Sequence, residues 1–222
     1  MEWYTGMVAP LMRGLLVTVE LASLVLVLGS IGGVLFGVLW GIAGPVVRAA
    51  MTIAIMLSRG IPLLVQVFIV FFVLPFFGVE FTGFTTAVVA LSLFAAATIT
   101  EIVRGGILAV PHGQMDAARS VGFTYYQVMR IVIFPQAFRS ILPPLITQFV
   151  FLIKATSIIS LLGVPEIMLA GREVIERTLL GFQVMAMIWL IYTAICYPLT
   201  IVGRRLEANF QRRGFRPALG EP

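Results

Sequence analysis

Residues 15–42 form an unbroken apolar run with one ionisable side chain, Glu20. A hydrocarbon slab about 30 Å thick takes about 20 helical residues to cross, so a run of this length points to a membrane span. Four more runs follow, at residues 61–77 (extendable back to Ala49), 85–107, 142–164 and 182–202. With 60% hydrophobic and 11% charged residues in 222, the chain has more apolar surface than one soluble core of this size can hide. The sequence predicts an all-α integral membrane protein, a single domain over 1–222 with five transmembrane helices.

An odd number of spans puts the termini on opposite sides, and arginine placement says which side is which. Arg204, Arg205, Arg212, Arg213 and Arg216 follow the fifth run. Arg119, Arg130 and Arg139 lie between the third and fourth, and Arg48 between the first and second. These segments are expected in the cytoplasm and the N-terminus outside. The opposite loops carry Glu80 and then Glu166, Arg172, Glu173, Glu176 and Arg177, with no cationic excess. The net charge of +5 reflects this asymmetry and an anionic inner leaflet, which argues against nucleic acid as a partner. The start, Met1-Glu2-Trp3-Tyr4, lacks a basic n-region, and the first run is too long for a cleaved signal, so it is expected to remain as a span. Cys196, the only cysteine, lies in the fifth run and is expected to be a packed, inert thiol.

Within the first run Gly29, Gly33, Gly37 and Gly41 recur every fourth residue, which places them near one helical face and lets a second helix approach closely. Gly44-Pro45 then breaks the helix. A second break falls at Gly60-Ile61-Pro62, leaving Arg59 either at the inner interface or, if the helix begins near Ala49, deep enough to need a partner.

The polar stretch between the third and fourth runs, about 109–140, is long for a connector and is expected to be functional. In Asp116-Ala117-Ala118-Arg119-Ser120-Val121-Gly122, the alanines make a narrow helix face, Asp116 near a helix start suits the positive dipole end, and Gly122 permits a left-handed stop. Together with Val132-Ile133-Phe134-Pro135, this stretch resembles the loop by which permease subunits of ATP-binding-cassette importers grip their ATPases. That family's pattern reads Glu-Ala-Ala, three residues, Gly, nine residues, Ile, one residue, Leu-Pro. Arg59-Gly60-Ile61-Pro62-Leu63-Leu64-Val65-Gln66 is similar to an element of the permeases for polar amino acids, with Ile61 where Thr is usual. Thr100-Glu101-Ile102-Val103-Arg104-Gly105-Gly106-Ile107-Leu108-Ala109-Val110-Pro111 and Lys154-Ala155-Thr156-Ser157-Ile158-Ile159-Ser160-Leu161-Leu162-Gly163-Val164-Pro165-Glu166 resemble two further blocks of that subfamily.

The resemblance implies one permease subunit of a bacterial importer for polar amino acids in the inner membrane. It would work beside a second permease copy or paralogue, two ATPase subunits and an extracytoplasmic binding protein. Asp116, Ala117, Ala118 and Gly122 would couple to the ATPase. No Walker A loop precedes Lys154, so this chain is expected to carry no cofactor and no catalytic residues, with ATP and Mg bound by the partner ATPase.

The residues themselves offer a sparse pocket. Lys154, the only lysine, falls near the membrane midplane, where it could meet an amino acid's carboxylate beside Thr156 and Ser157 or brace freed helix carbonyls. Gln66 supplies both a donor and an acceptor. Thr98 offers a hydroxyl that could equally bond back to its own helix, as could that of Thr100. Glu101 and Arg104, three apart, are expected to pair as a structural ion pair near the inner interface. His112 has no company for a metal site. A secondary transporter or channel driven by an ion gradient, and a scaffold subunit that binds no cargo, are the alternatives. The first of these would be expected to show paired intramembrane carboxylates or an inverted repeat, and the sequence shows neither.

Overall fold

The computed structural model describes residues 2–212, with side chains from 6 to 210. Arg213 and Arg216 of the basic tail lie outside the described residues, as does Met1. The described chain is entirely helical. Helix α1 spans Glu2–Ile42, α2 Pro45–Gly60, α3 Leu63–Phe68, α4 Gly83–Leu108, α5 His112–Ser120, α6 Tyr125–Gln127, α7 Phe134–Ala155, α8 Ile167–Thr178 and α9 Gly181–Arg212. Four stretches are long and apolar enough to cross a membrane: Gly6–Ile42, Gly83–Leu108, Tyr125–Leu162 and Gly181–Phe210. A fifth crossing comes from α2 and the stretch after it if that bent pair counts as one span. The expected all-helical membrane architecture is therefore present.

The second span departs from expectation in shape. At Ile61 and Pro62 the backbone is extended, and α2 meets the segment Leu63–Phe77 at 101°. Pro62 cannot continue the helix and biases Ile61 away from helical backbone. The 16-residue α2 is thus a separate helix. Val46, Val47, Ile53, Met56 and Leu57 lie exposed on it.

Two stretches of π-helix, Ile69–Val73 and Val128–Ile133, each end two residues before a proline, Pro75 and Pro135. A proline ring collides with the carbonyl four residues back and offers no amide, and a widened turn relieves both problems. Through the second of these turns, α6 and α7 run on continuously. The fourth helical rod therefore starts at Tyr125, well before the apolar run that begins at 142, and it ends in a 3-10 segment, Thr156–Leu162.

The glycine stripe of α1 packs on α4. A Cβ on Gly33 would sit 2.5 Å from Ile99 Cβ and one on Gly37 2.6 Å from Val103 Cβ, while Gly29 faces Ala95 just as tightly. The partner numbers rise in step, so the two helices are parallel. They must be, because the segment between them returns the chain to the starting end. Thr100 Oγ1 donates to Gly33 O at 3.2 Å across this seam. Helix α7 runs antiparallel to α4, with Gly106 against Ile141 and the Phe94 and Phe151 rings 5.8 Å apart. Helix α9 runs antiparallel to α7, so that a Cβ on Gly203 would meet Ile146 at 3.2 Å, and buried Cys196 lies among Ala22, Val150 and Ile153. At the opposite end from the polar loop, α8 crosses α1 at Gly14, where a Cβ would meet Ala170 at 2.8 Å.

Candidate functional site: the polar loop and the cluster behind it

The polar loop is a short, well-stopped helix followed at once by a well-started one. After α5, Gly122 has φ +89, its amide donates to Arg119 O at 2.9 Å, and Phe123 N donates to Ala118 O at 3.2 Å. These two bonds make a Schellman stop and satisfy carbonyls that the helix end would otherwise orphan. Two residues on, Thr124 and Gln127 form a reciprocal capping box: Thr124 N donates to Gln127 Oε1 at 2.8 Å, and Gln127 N donates to Thr124 Oγ1 at 3.4 Å. Gln136 Nε2 donates to Gln114 Oε1 at 3.2 Å and ties α5 back to α7.

Asp116 is the fifth residue of α5, past the first turn, because the helix starts at His112. The expected favourable placement at the positive dipole end does not hold. The two alanines also part company. Ala118 turns inward and is buried with the core, with Met115 packed beside it. Ala117 faces out with Asp116, Ser120 and Val121, and that outer face is free for a partner. His112 is exposed at the helix start.

Behind the loop lies a charged and aromatic cluster. Arg104 Nε donates to Glu101 Oε2 at 2.8 Å and Arg104 Nη2 to Glu101 Oε1 at 2.5 Å, while Arg59 Nη1 stands 3.9 Å from Glu101 Oε1. The Trp40 ring carries the Arg48 guanidinium 5.1 Å from its centroid and that of Arg104 at 5.3 Å. Trp40 Nε1 donates to Thr52 Oγ1 at 3.2 Å. Sequence reasoning found the Glu101 and Arg104 pair but missed Trp40, Arg48 and Tyr125. The available signal was a tryptophan closing an apolar run with an arginine just across a Gly-Pro turn.

A cavity of about 500 Å³ opens between α1, α2, α3 and α4. Its walls are apolar, from Phe36, Met51, Ile55, Ile69 and Leu93, with Ser58, Gln66 and Thr100 as the polar lining. Gln66 Nε2 donates to Ser58 O at 2.6 Å and Ile61 O at 2.9 Å, so its amide nitrogen holds the α2–α3 bend. The other proposed pocket residues lie elsewhere. Thr98 Oγ1 donates to Phe94 O at 3.0 Å on its own helix. Thr156 Oγ1 donates to Ile153 O and Ser157 Oγ to Lys154 O, both at 2.8 Å, closing the turns where α7 tightens into 3-10 geometry. Lys154 is exposed on the outer side of α7, with no carboxylate within 4.0 Å among the described residues. The chain alone does not gather these five residues into one pocket.

Residues 33–214 match the family described as binding-protein-dependent transport system inner membrane component, and the chain belongs to that family. It is 34% identical over 191 residues to the glutamine transport system permease protein GlnP of Escherichia coli (strain K12), covering 83% of this chain and 87% of that one. It is 41% identical over 155 residues to the L-cystine transport system permease protein TcyB of Bacillus subtilis (strain 168), covering 69% and 66%. Its fold superposes with a TM-score of 0.81, at 31% identity and 95% and 96% coverage, on a chain of the crystal structure of an amino acid ABC transporter with histidines. It also matches the fold of the MetNI methionine ABC transporter at a TM-score of 0.76 and 22% identity. The chain is an inner-membrane, multi-pass permease subunit of an ABC importer. ATP hydrolysis resides in a partner subunit, and the family implies ATPase and binding-protein partners.

Proposed function

We infer that this subunit imports polar amino acids, pairs with a second copy or a paralogous permease, and is driven through α5 by an ATPase dimer that closes on ATP. Cargo reaches it from an extracytoplasmic binding protein, with the N-terminus outside and the α5 loop and C-terminus in the cytoplasm. The similarity to permeases of glutamine and L-cystine transport systems, and to an amino acid ABC transporter crystallised with histidines, supports the cargo class. The arginines of the loop and tail support the orientation.

The observation that carries the coupling role is the outer face of α5. A helix closed by a Schellman stop, followed at once by a capping box that starts the next helix, and tied to α7 through Gln114 and Gln136, with Ala118 packed inward and Asp116 and Ala117 facing out, transmits a push as a rigid piece. Lys154 faces outward from α7 at membrane depth, where an ammonium on a lipid-facing surface would be costly. That position suits a lysine lining a path between two permease copies, with Ser157 beside it and Gln66, Thr98 and Thr156 as further cargo contacts to test.

Gly122→Arg tests the coupling role. A Cβ there would touch nothing within 4 Å, so the folding penalty is mainly that of the left-handed backbone, about 1 kcal/mol. The added cation would stand on the docking surface. The variant is expected to insert normally and to lose ATP-driven uptake. A variant that co-purifies with its ATPase and transports at the wild-type rate contradicts the assignment.

A further inference from the structure

The last carbonyls of a helix have no partner within it, and α1 ends beside a residue that makes this worse. Pro45, four residues after Gly41, has no amide to offer the Gly41 carbonyl. Two side chains from elsewhere serve it instead. Arg48 Nη2 donates to Gly41 O at 2.9 Å and Tyr125 OH donates to the same oxygen at 2.7 Å, while Arg48 Nε donates to Trp40 O at 3.0 Å. Tyr125 opens the helix that follows the α5 loop, and the Arg119 guanidinium of α5 lies 5.8 Å from its ring centroid. The loop is thereby hooked onto the end of α1.

From that hook the contacts continue without a gap. The Trp40 ring carries both Arg48 of α2 and Arg104 of α4, Arg104 holds Glu101 through two bonds, and Glu101 faces Arg59 at the α2–α3 bend. Guanidinium groups over an indole face are attracted by its quadrupole, most strongly where water is scarce, and Trp40 is half-buried. Apart from the Arg104–Glu101 pair, which lies within α4, each link joins different elements. A displacement of the loop therefore pulls on the end of α1, on α2 and on α4 together.

We propose that Trp40 is a positioning residue for transport: its ring and the Tyr125 hook on Gly41 bind the α5 loop, the end of α1 and α2 into one moving body that acts on the α2–α3 bend. This rests on the coupling role inferred for α5. It adds the side chains by which motion leaves the loop.

The test uses the complete transporter, with permease, ATPase and binding protein, in proteoliposomes. Cargo moved per ATP, and the stimulation of hydrolysis by loaded binding protein, are measured for Tyr125→Phe, Trp40→Leu, Trp40→Phe and the Tyr125→Phe/Trp40→Leu double variant. Trp40→Leu is expected to keep its ATPase bound and to lose about tenfold in cargo per ATP, within the range that residues along a coupling network produce. Trp40→Phe, which keeps a ring face, should recover most of that loss. Tyr125→Phe removes one hydroxyl and should lose several-fold, and the double variant should be no worse than Trp40→Leu alone, because both act on one path. Normal cargo per ATP in Tyr125→Phe, or losses that multiply in the double variant, overturns the proposal. So does a Trp40→Leu whose only defect is a lower melting temperature or yield. Failure of the wild type to show ATP-driven uptake would instead overturn the importer assignment on which the proposal rests.

Discussion

Glu166 has no exposed surface, and its neighbours show how much a single residue can hide from sequence reasoning. One carboxylate oxygen accepts the Leu169 amide at 2.9 Å as the cap of α8, while the other has no partner, and the nearby Tyr192 hydroxyl also has none. Burial pushes its pKa up to about 7, against the opposing pull of the Met168 and Leu169 amides, Thr18 and Arg172. Between the ordinary value of 4.5 and about 7, the folded chain keeps a proton that the unfolded chain has released, so stability falls as pH rises through that window and levels off above it. Glu166→Gln should flatten the fall in melting temperature of the solubilised protein across this window. Parallel curves for the two proteins would show that Glu166 is not the titrating group. In the sequence Glu166 reads as one of several charges in an outer loop. It is buried where α1 packs on the start of α8, at Gly14 and at Thr18, whose Oγ1 accepts the Ile167 amide at 3.1 Å, and no local pattern announces such a contact. Gly122, by contrast, is legible, because a left-handed helix stop is a local property of the chain.

At the scale of elements, the glycine stripe shows what periodicity can deliver. Four glycines on one face predict a close helix approach, and Gly29, Gly33 and Gly37 make it. Gly41 is the exception: a Cβ there would lie at an ordinary 3.5 Å from Ile107 Cδ1. Gly33→Val should therefore drive α1 from α4, weaken the Thr100 bond to Gly33 O, and destabilise by about 1 to 3 kcal/mol, the usual range for overpacking. Gly41→Ala should leave the melting temperature nearly unchanged. Equal effects of the two substitutions would mean that the seam is not where the stability lies. The π-helical turns and the bend before α3 were not legible in detail. Pro62, Pro75 and Pro135 each signal a disturbance, but whether a helix breaks, widens or tightens there depends on what its neighbours can satisfy. The early start of the fourth rod has the same origin, since the polar residues of α6 hide a helix that hydropathy alone does not see.

For the molecule as a whole, cargo specificity is the property furthest from any single helix. Ala155 follows Lys154 and offers no anion to a cationic side chain, and an unpaired buried cation loses several kcal/mol of hydration. Neutral or acidic amino acids should therefore compete for uptake better than arginine or lysine, and saturable high-affinity arginine uptake by a homodimer of this chain would sink that expectation. Chemistry and depth single out Gln66, Thr98, Lys154, Thr156 and Ser157 as proposed cargo contacts, and one chain does not bring them together. In the pairing inferred above, a second permease would close a path along the outward-facing Lys154. The family, by contrast, was legible, because three motif blocks fall in order on α2–α3, on the end of α4 with the following loop, and on the end of α7. ATP hydrolysed by a partner, and not an ion gradient, moves amino acids through this subunit. Uptake of labelled glutamine into proteoliposomes that hold the permease and its ATPase, with binding protein outside, tests it most directly. Uptake should require enclosed ATP and survive ionophores, whereas uptake that proceeds without ATP and collapses with the ion gradient would overturn the ATP-driven assignment.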